Sequence, residues 1–115
     1  MSTIKNVNNV VKGKEKAIIL FTRGGNTTLN HIGSSSTGDW KVHEDREFDT
    51  VIIYHRDDAK KVNTVFKGTY TNRTPSIEGR VMINMDNVTN VGTTESNWTE
   101  FSGNGNNPIA YSDKE

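Results

Sequence analysis

The feature that most constrains this chain is a pair of strand-like runs around a polar turn, between residues 49 and 70. Residues 51–54 are β-branched and aromatic, a composition typical of a half-buried strand. Residues 57–61 are mostly charged and predict an exposed connection. Residues 62–70 are strand-like again, with aromatic side chains on one alternation and Val65 on the other. The stretch therefore predicts a β-hairpin.

Further strands are predicted on both sides of this hairpin. Residues 16–22 contain a continuous apolar run, which favours a strand buried on both faces. Residues 79–85 alternate between two faces, and residues 88–94 suggest a second, shorter strand. Residues 98–101 are weakly helical or extended, and residues 109–111 are expected to close one edge of a sheet.

Two segments have the composition of loops. Residues 23–39 consist mostly of Gly, Ser, Thr and Asn; within them, residues 34–38 predict a surface loop and residues 26–32 a helical turn. Residues 71–76 contain Pro75 and predict a turn. A connection as long as the first is uncommon without a role, because ordering it costs conformational entropy. Ligand binding is one such role.

These elements predict a mainly β fold with a minor α component. A small β-barrel or a strongly curved mixed sheet, with one or two short helices, fits them better than a sandwich. A chain of 115 residues, of which 31% are hydrophobic, has room for a single core. We expect one β-rich domain over residues 16–112. Residues 1–15 are polar and predict a flexible arm, either loose or forming a short helix.

Charge and cysteine content narrow the functional classes. The 14 basic and 14 acidic residues cancel, which argues against a polybasic protein that binds nucleic acid through phosphate neutralisation. The neutral charge balance is compatible with a protein that binds a single base in a pocket. Cysteine is absent, no basic-then-apolar leader is seen, and no apolar run approaches about 20 residues. We expect a cytoplasmic protein without a membrane segment.

Candidate catalytic residues are few. The three histidines lack the spacing of zinc ligands, and residues 24–25 lack the spacing of a phosphate-binding loop, so neither a metal nor a cofactor is expected. Residues 43–47 (HEDRE) contain the base, acid and cation that phosphodiester cleavage needs. A small nuclease or hydrolase using His43, His55 and Glu44 is one hypothesis. The same run is also typical of a solvated loop, whose consecutive side chains point to opposite faces.

The two tryptophans differ from the other aromatic residues. Trp40 and Trp98 each follow polar, loop-like sequence, whereas most aromatic side chains must form the core of so polar a chain. An indole at such a junction is a candidate wall for a planar ligand, because stacking a base on it contributes about 1–3 kcal/mol. The alternative is a tryptophan that covers one end of a barrel.

The order of features around the hairpin has a counterpart in a known family. One strand ends at a Tyr-His pair, a short polar turn follows, and the next strand contains an internal glycine. The residues concerned are Phe48, Asp49, residues 51–54, His55 and residues 65–70, preceded by the opening strand at residues 16–21 and by Trp40. In this order the chain resembles PUA-like domains, particularly their EVE and YTH-related branch.

The resemblance implies a compact β-barrel that takes a flipped, unpaired or modified base of DNA or RNA into a pocket. Trp40 and Trp98 would form the walls of that pocket. Its polar readers would be Ser34, Ser35, Asn30 and Asn97, and its phosphate contacts would be Arg23, His55 and Arg56.

The leading hypothesis is therefore a non-catalytic module that binds nucleic acid, with restriction, defence or counter-defence as a plausible setting. Two alternatives stay open beside it. One is a protein–protein interaction module, such as a phage or plasmid inhibitor, which would show an exposed apolar patch. The other is the small nuclease or hydrolase described above.

Overall fold

The computed structural model describes residues 4, 7–11, 13–23, 27–29, 34–42, 47–102 and 108–111. A short 3-10 turn spans Val7–Asn9. The strands are β1 Ala17–Thr22, β2 Thr27–Thr28, β3 Ser34–Trp40, β4 Thr50–Asp57, β5 Val62–Pro75, β6 Val81–Thr94 and β7 Ile109–Tyr111, and the helix is α1 Trp98–Ser102. The protein is mainly β and forms a single domain, as the sequence predicts.

The seven strands form one mixed sheet in the order β2-β3-β6-β5-β4-β1-β7. β1 and β4 are parallel, from Ala17 opposite Thr50 to Thr22 opposite His55, and the other pairs are antiparallel. The sheet is not closed. Of the two predicted architectures, the mixed sheet is therefore the one observed.

Several local predictions are confirmed. β4 and β5 form the predicted hairpin in continuous register, with Thr50 opposite Thr69 at one end and Asp57 opposite Val62 at the other. β1 is buried on both faces, and β7 lies at one edge of the sheet. Of the two alternatives for residues 98–101, the helical one is observed, as α1.

Three predicted loops or breaks are wrong, since they belong to strands. Residues 34–38 lie in β3, residues 71–75 continue β5, and residues 86–87 join two predicted strands into β6. β6 pairs with β3 on one side and β5 on the other, and this pairing holds residues of low strand propensity in the ladder. The predicted helical turn is also wrong at Thr27 and Thr28, which pair with β3.

The chain reverses between β5 and β6 at residues 77–80 instead of at Pro75. The Arg80 N–H donates to the Ile77 carbonyl over 2.8 Å. Glu78 and Gly79 between them have positive φ angles of 46° and 76°. Two consecutive residues with positive φ form a tight hairpin turn, and the twist of such a turn matches the twist of the strands that it joins.

The sheet curls until its two ends approach each other. In a flat sheet β1 and β2 would be five strand spacings apart, about 24 Å. The Thr22 and Thr27 hydroxyls are nevertheless 3.4 Å apart, and Thr27 in turn lies 2.9 Å from the Thr37 hydroxyl. The β5–β6 and β3–β6 ladders contain register shifts, and bulges of this kind bend the strands that carry them.

Curling divides the core into two clusters, one on each side of the sheet. We call the concave side, to which Thr22 and Thr37 point, the inner face, and the opposite side the outer face. The inner cluster contains Ile18, Leu20, Trp40, Val42, Phe48, Val51, Ile53, Ile83, Met85 and Val88. The outer cluster contains Ala17, Ile19, Ile52, Tyr54, Val65 and Ala110 from the sheet, covered by Ile4, Val7, Val10 and Phe101.

The described part of the predicted N-terminal arm packs on the outer face. Ile4, Val7 and Val10 are buried there, and the Ile4 N–H donates to the Thr93 carbonyl over 2.7 Å. The Lys67 ammonium donates to the Val10 carbonyl and to the Glu15 carboxylate, both over 2.8 Å. This stretch is therefore part of the domain, because its apolar residues cover a sheet face that would otherwise meet water.

Candidate ligand-binding cleft

A cleft of about 380 Å³ opens on the outer face, where the parallel strands β1 and β4 end. Near its carboxyl end, each strand carries an aromatic residue followed two positions later by an arginine. Phe21 stands opposite Tyr54 in the ladder, which brings Arg23 beside Arg56, because neighbouring strands are only about 4.8 Å apart. The cleft is lined by Phe21, Arg23, Tyr54, Arg56, Asp58, Asn63, Glu95, Asn97 and Trp98.

Three aromatic side chains form one wall of the cleft. The Phe21 ring centroid is 5.6 Å from those of both Tyr54 and Trp98, and Tyr54 and Trp98 are 5.5 Å apart in an edge-to-face arrangement. Phe101 packs behind them, 5.1 Å from Tyr54, and is fully buried. Edge-to-face contacts favour such rings beyond their apolar burial, so the wall is held in place by α1 and the sheet together.

The Tyr54 hydroxyl joins the sheet to the segment that enters α1. It donates to the Ser96 carbonyl over 2.6 Å. Burial raises the pKa of the Tyr54 phenol above its ordinary value; the nearby Arg56 opposes this rise and Glu100 adds to it. The phenol therefore stays protonated at neutral pH and acts as a donor, because burial disfavours its charged form.

The charged rim of the cleft is an arrangement of two guanidinium groups around one carboxylate. One oxygen of Asp58 lies 3.0 Å from Arg23 Nε in an ion pair, and the other accepts from Arg56 Nε over 3.3 Å. The Arg23 guanidinium also lies over the Phe21 ring, 5.1 Å from its centroid, a cation–π geometry. The side chains of Arg23 and Asp58 are 64% and 60% exposed, so this pair contributes little to stability.

Two asparagines complete the polar part of the lining. Asn63 is buried; it accepts from Arg56 Nη1 over 3.0 Å and donates to the Thr94 carbonyl over 3.3 Å. Asn97 caps α1, its side-chain oxygen accepting from the Glu100 N–H over 2.9 Å, while Glu100 accepts from the Asn97 N–H over 3.3 Å. This reciprocal capping box fixes the helix that carries Trp98.

The cleft brings together four of the residues that the sequence suggests for ligand binding: Arg23, Arg56, Asn97 and Trp98. Asn97 is engaged through its oxygen in the helix cap, so only its amide NH₂ group is left to read a ligand. The other three present an indole and two guanidinium groups to the same space.

The structure puts the remaining candidates elsewhere. Trp40 is 9% exposed in the inner cluster and donates its indole N–H to the Thr37 hydroxyl over 3.2 Å, so it is a core residue and not a pocket wall. Ser34 and Ser35 lie in β3 and are not among the residues that line the cleft. His55 points to the opposite face from Tyr54 and Arg56, because side chains alternate along β4. Asn30, His43 and Glu44 lie outside the described residues.

Sequence reasoning missed Phe21, Tyr54, Asn63, Asp58 and Glu95 as residues of the site. One signal in the sequence could have indicated the first two. Residues 21–23 (FTR) and 54–56 (YHR) repeat an aromatic-x-Arg pattern directly after two apolar runs. The pattern acquires meaning only when the strands are known to be parallel and in register.

The described residues contain no cluster of three His, Asp or Glu side chains suited to holding a metal ion. Within the same part of the chain, no helix is long and apolar enough to cross a membrane. Comparison with protein-family models, with curated proteins and with solved structures finds no match to this chain.

Proposed function

We propose that this protein is a non-catalytic module that binds an unpaired or flipped nucleic-acid base in the cleft at the ends of β1 and β4. The observation that carries the proposal is the combination of Phe21, Tyr54 and Trp98 on one wall with Arg23 and Arg56 on the rim. A planar ring and an adjacent anion are the two parts of a nucleotide, and the cleft offers a partner for each.

The aromatic wall supports the proposal because it is partly exposed in a chain whose apolar residues are scarce. Phe21 and Trp98 are half-buried, although 31% hydrophobic content leaves few aromatic residues to spare from the core. Stacking a base on such a surface contributes about 1–3 kcal/mol and tolerates any base. Asn97 lines the cleft, and its amide NH₂ group would be the donor to the edge of a stacked base.

The electrostatics of the chain favour a single nucleotide over a long duplex. Two arginines stand at the cleft, against Asp58 and Glu95, and the chain as a whole is neutral. Binding that depends on many phosphate contacts would need a basic surface. We extend the proposal to a PUA-like relationship and to a setting in restriction, defence or counter-defence, on the basis of the order of features in the central hairpin.

The alternatives have less support among the described residues. A nuclease would need His55 at the cleft, and the ring of His55 instead lies 6.2 Å from Phe66 on the other face. A protein-binding module would need an apolar patch. The exposed large apolar side chains of the described residues are Val62, at the start of β5, and Ile77, in the turn that follows it. Single exposed apolar residues are normal.

The test is a titration of intrinsic tryptophan fluorescence with short single-stranded and duplex DNA and RNA, with and without modified bases. We expect quenching by single strands, and a loss of affinity of about 5- to 100-fold when Trp98 is replaced by alanine. Arg23→Ala, at an exposed position, should weaken binding without affecting the fold, as checked by circular dichroism.

Arg80→Ala is the matched control for Arg23→Ala, because Arg80 is also exposed but lies at the far hairpin turn. Its affinity should equal that of the unmodified protein. The proposal is wrong if no nucleic acid changes the fluorescence at high micromolar concentration. It is also wrong if Arg23→Ala and Arg80→Ala weaken binding equally, since the contact would then be diffuse.

A further inference from the structure

We infer that the Asp58 carboxylate occupies an anion site between Arg23 and Arg56, and that the phosphate of a bound nucleotide replaces it there. The inference rests on the proposed function: the base stacks on the aromatic wall, and the phosphate binds between the two arginines at the rim. Asp58 is then an intramolecular competitor that weakens binding of ligands without a strong anion.

The geometry of the carboxylate is that of a bound anion. Each oxygen faces the Nε of a different arginine: one forms an ion pair with Arg23 Nε at 3.0 Å, and the other accepts from Arg56 Nε over 3.3 Å. The two arginines come from different strands, and the parallel register of β1 with β4 brings their positions side by side. Guanidinium groups bind phosphate with directed, paired hydrogen bonds, so the arrangement suits a phosphate at least as well as a carboxylate.

The structure allows Asp58 to leave without loss of the fold. Asp58 lies in the β4–β5 turn, but the turn itself is closed by Asp57, whose carboxylate accepts from the Lys60 N–H over 3.1 Å. The Asp58 side chain is 60% exposed, and ion pairs at such exposure are weak. Displacing the Asp58 carboxylate by a ligand phosphate therefore costs little free energy.

Arg56 keeps its position when the carboxylate is removed. Its Nη1 donates to the buried Asn63 over 3.0 Å, and Asn63 is itself held by the Thr94 carbonyl. Arg23 lies over the Phe21 ring. Both cations are thus supported by contacts other than Asp58, which leaves a site preorganised for an anion next to the aromatic wall.

The experiment compares three probes on three proteins. Adenosine tests the aromatic wall alone, inorganic phosphate tests the anion site alone, and adenosine 5′-monophosphate tests both. The proteins are the unmodified chain, Asp58→Asn and Glu95→Gln. Glu95 also lines the cleft, so Glu95→Gln removes the same charge without an observed ion pair to either arginine.

In Asp58→Asn we expect affinity for the monophosphate to rise by about three- to tenfold, as the loss of two weak ion pairs allows. Adenosine affinity should not change. Inorganic phosphate should shift the Nε–H resonances of Arg23 and Arg56 in ¹⁵N NMR spectra of Asp58→Asn at lower concentration than in the unmodified chain. Glu95→Gln should show a clearly smaller gain.

The outcomes separate this inference from the proposed function. If adenosine binds but Asp58→Asn leaves phosphate and monophosphate affinity unchanged, the anion site is wrong and the base-binding proposal stands. Equal gains in Asp58→Asn and Glu95→Gln also overturn it, because the effect would be general electrostatics. If phosphate binds and adenosine does not, the anion site stands without the base-binding function; no response to any probe overturns both.

One further ligand distinguishes the two possible sources of the phosphate, a nucleic-acid backbone and a free nucleotide. A short single-stranded oligonucleotide without terminal phosphates carries only diester groups, whereas the mononucleotide carries a terminal monoester. A gain in Asp58→Asn for both ligands indicates a site for any nucleotide phosphate. A gain for the mononucleotide alone restricts the site to free nucleotides or phosphorylated ends, and a gain for neither overturns the inference.

Discussion

The inner and outer faces of the sheet bury their apolar residues by different means. The inner face is enclosed by the curl of the sheet itself. Trp40 at the end of β3 fills it, together with Val42 and Phe48 from the connection between β3 and β4. The outer face is covered by separate elements, the N-terminal segment and α1. Two separate elements can leave a part of the sheet face between or beside them uncovered. The cleft lies on this face, beside α1.

The two tryptophans illustrate the difference. Trp40 lies on the inner face, is nearly buried, and has its indole N–H bonded to Thr37. Trp98 lies on the outer face, is half-buried, and forms part of the cleft wall beside Phe21 and Tyr54. The concave side of the sheet buries the Trp40 indole in the core, whereas the face covered by short elements leaves the Trp98 indole at the wall of a cleft.

Loss of the helix anchor should have the largest effect on the outer face. Phe101 is fully buried, and Phe101→Ala should lower the free energy of unfolding by about 3–5 kcal/mol, measured by urea denaturation. Ile83→Ala on the inner face should cost about 2–5 kcal/mol. In a Trp40→Phe background, which leaves Trp98 as the one tryptophan of the chain, only Phe101→Ala should change the native emission. A similar emission change in Ile83→Ala would show that the two faces are not independent.

Gly68 tests how tightly the inner face is packed. A Cβ at this position would lie 2.8 Å from Val88 Cγ2 and 3.3 Å from the Asp86 carbonyl. Gly68→Ala should therefore lower the free energy of unfolding by about 1–3 kcal/mol through overpacking.

The matched control is Val88→Ala, which removes the closest methyl group. In a double-mutant cycle the two changes together should cost less than the sum of the single changes. Additive costs would mean that the contact with the Asp86 backbone, and not the packing of the inner face, limits this position.

The cap of α1 tests whether the helix holds the outer wall. Asn97→Ala removes the acceptor for the Glu100 N–H and should cost about 0.5–2 kcal/mol, with a shift in Trp98 emission. Asn97→Asp keeps the acceptor and is the control. If both variants are equally destabilised, the cap does not fix the wall.

Tyr54 gives the smallest effect and one that depends on pH. Tyr54→Phe loses the hydrogen bond to Ser96 and should cost about 0.5–1.5 kcal/mol at neutral pH. Because the folded-state pKa of Tyr54 is raised, its contribution is complete below the unfolded-state pKa of about 10 and is lost as pH rises through the folded-state value. The stability difference between the two proteins should therefore shrink in alkaline solution. A constant difference would mean that the phenol is not buried in the folded protein.

The local pattern of the sequence predicted the hairpin, the doubly buried β1 and the edge strand β7, and it left residues 98–101 as either helical or extended. Where the prediction was definite, the side chains themselves carry the signal, as β-branched or continuous apolar runs and as alternation. The prediction for residues 34–38 was wrong because a run of serine, threonine and glycine has no such signal. Their strand state comes from pairing with β6.

The site was predicted only in part for the same reason. Trp98, Arg23 and Arg56 stood out as residue types that bind planar and anionic groups. Their neighbours Phe21 and Tyr54 looked like ordinary strand residues, and Trp40 looked equivalent to Trp98. Alternation along a strand is visible in a sequence, but which face remains open depends on what covers it.

The sequence by itself determined that the chain is a mainly β domain with a small core and a central hairpin, because propensity and alternation are local properties. Only the tertiary structure decided that β1 and β4 run parallel, that the sheet curls around Trp40, and that an aromatic wall and two arginines converge at one cleft. These features depend on contacts between residues far apart in the chain, and no local pattern encodes which of two similar faces the remaining elements will cover.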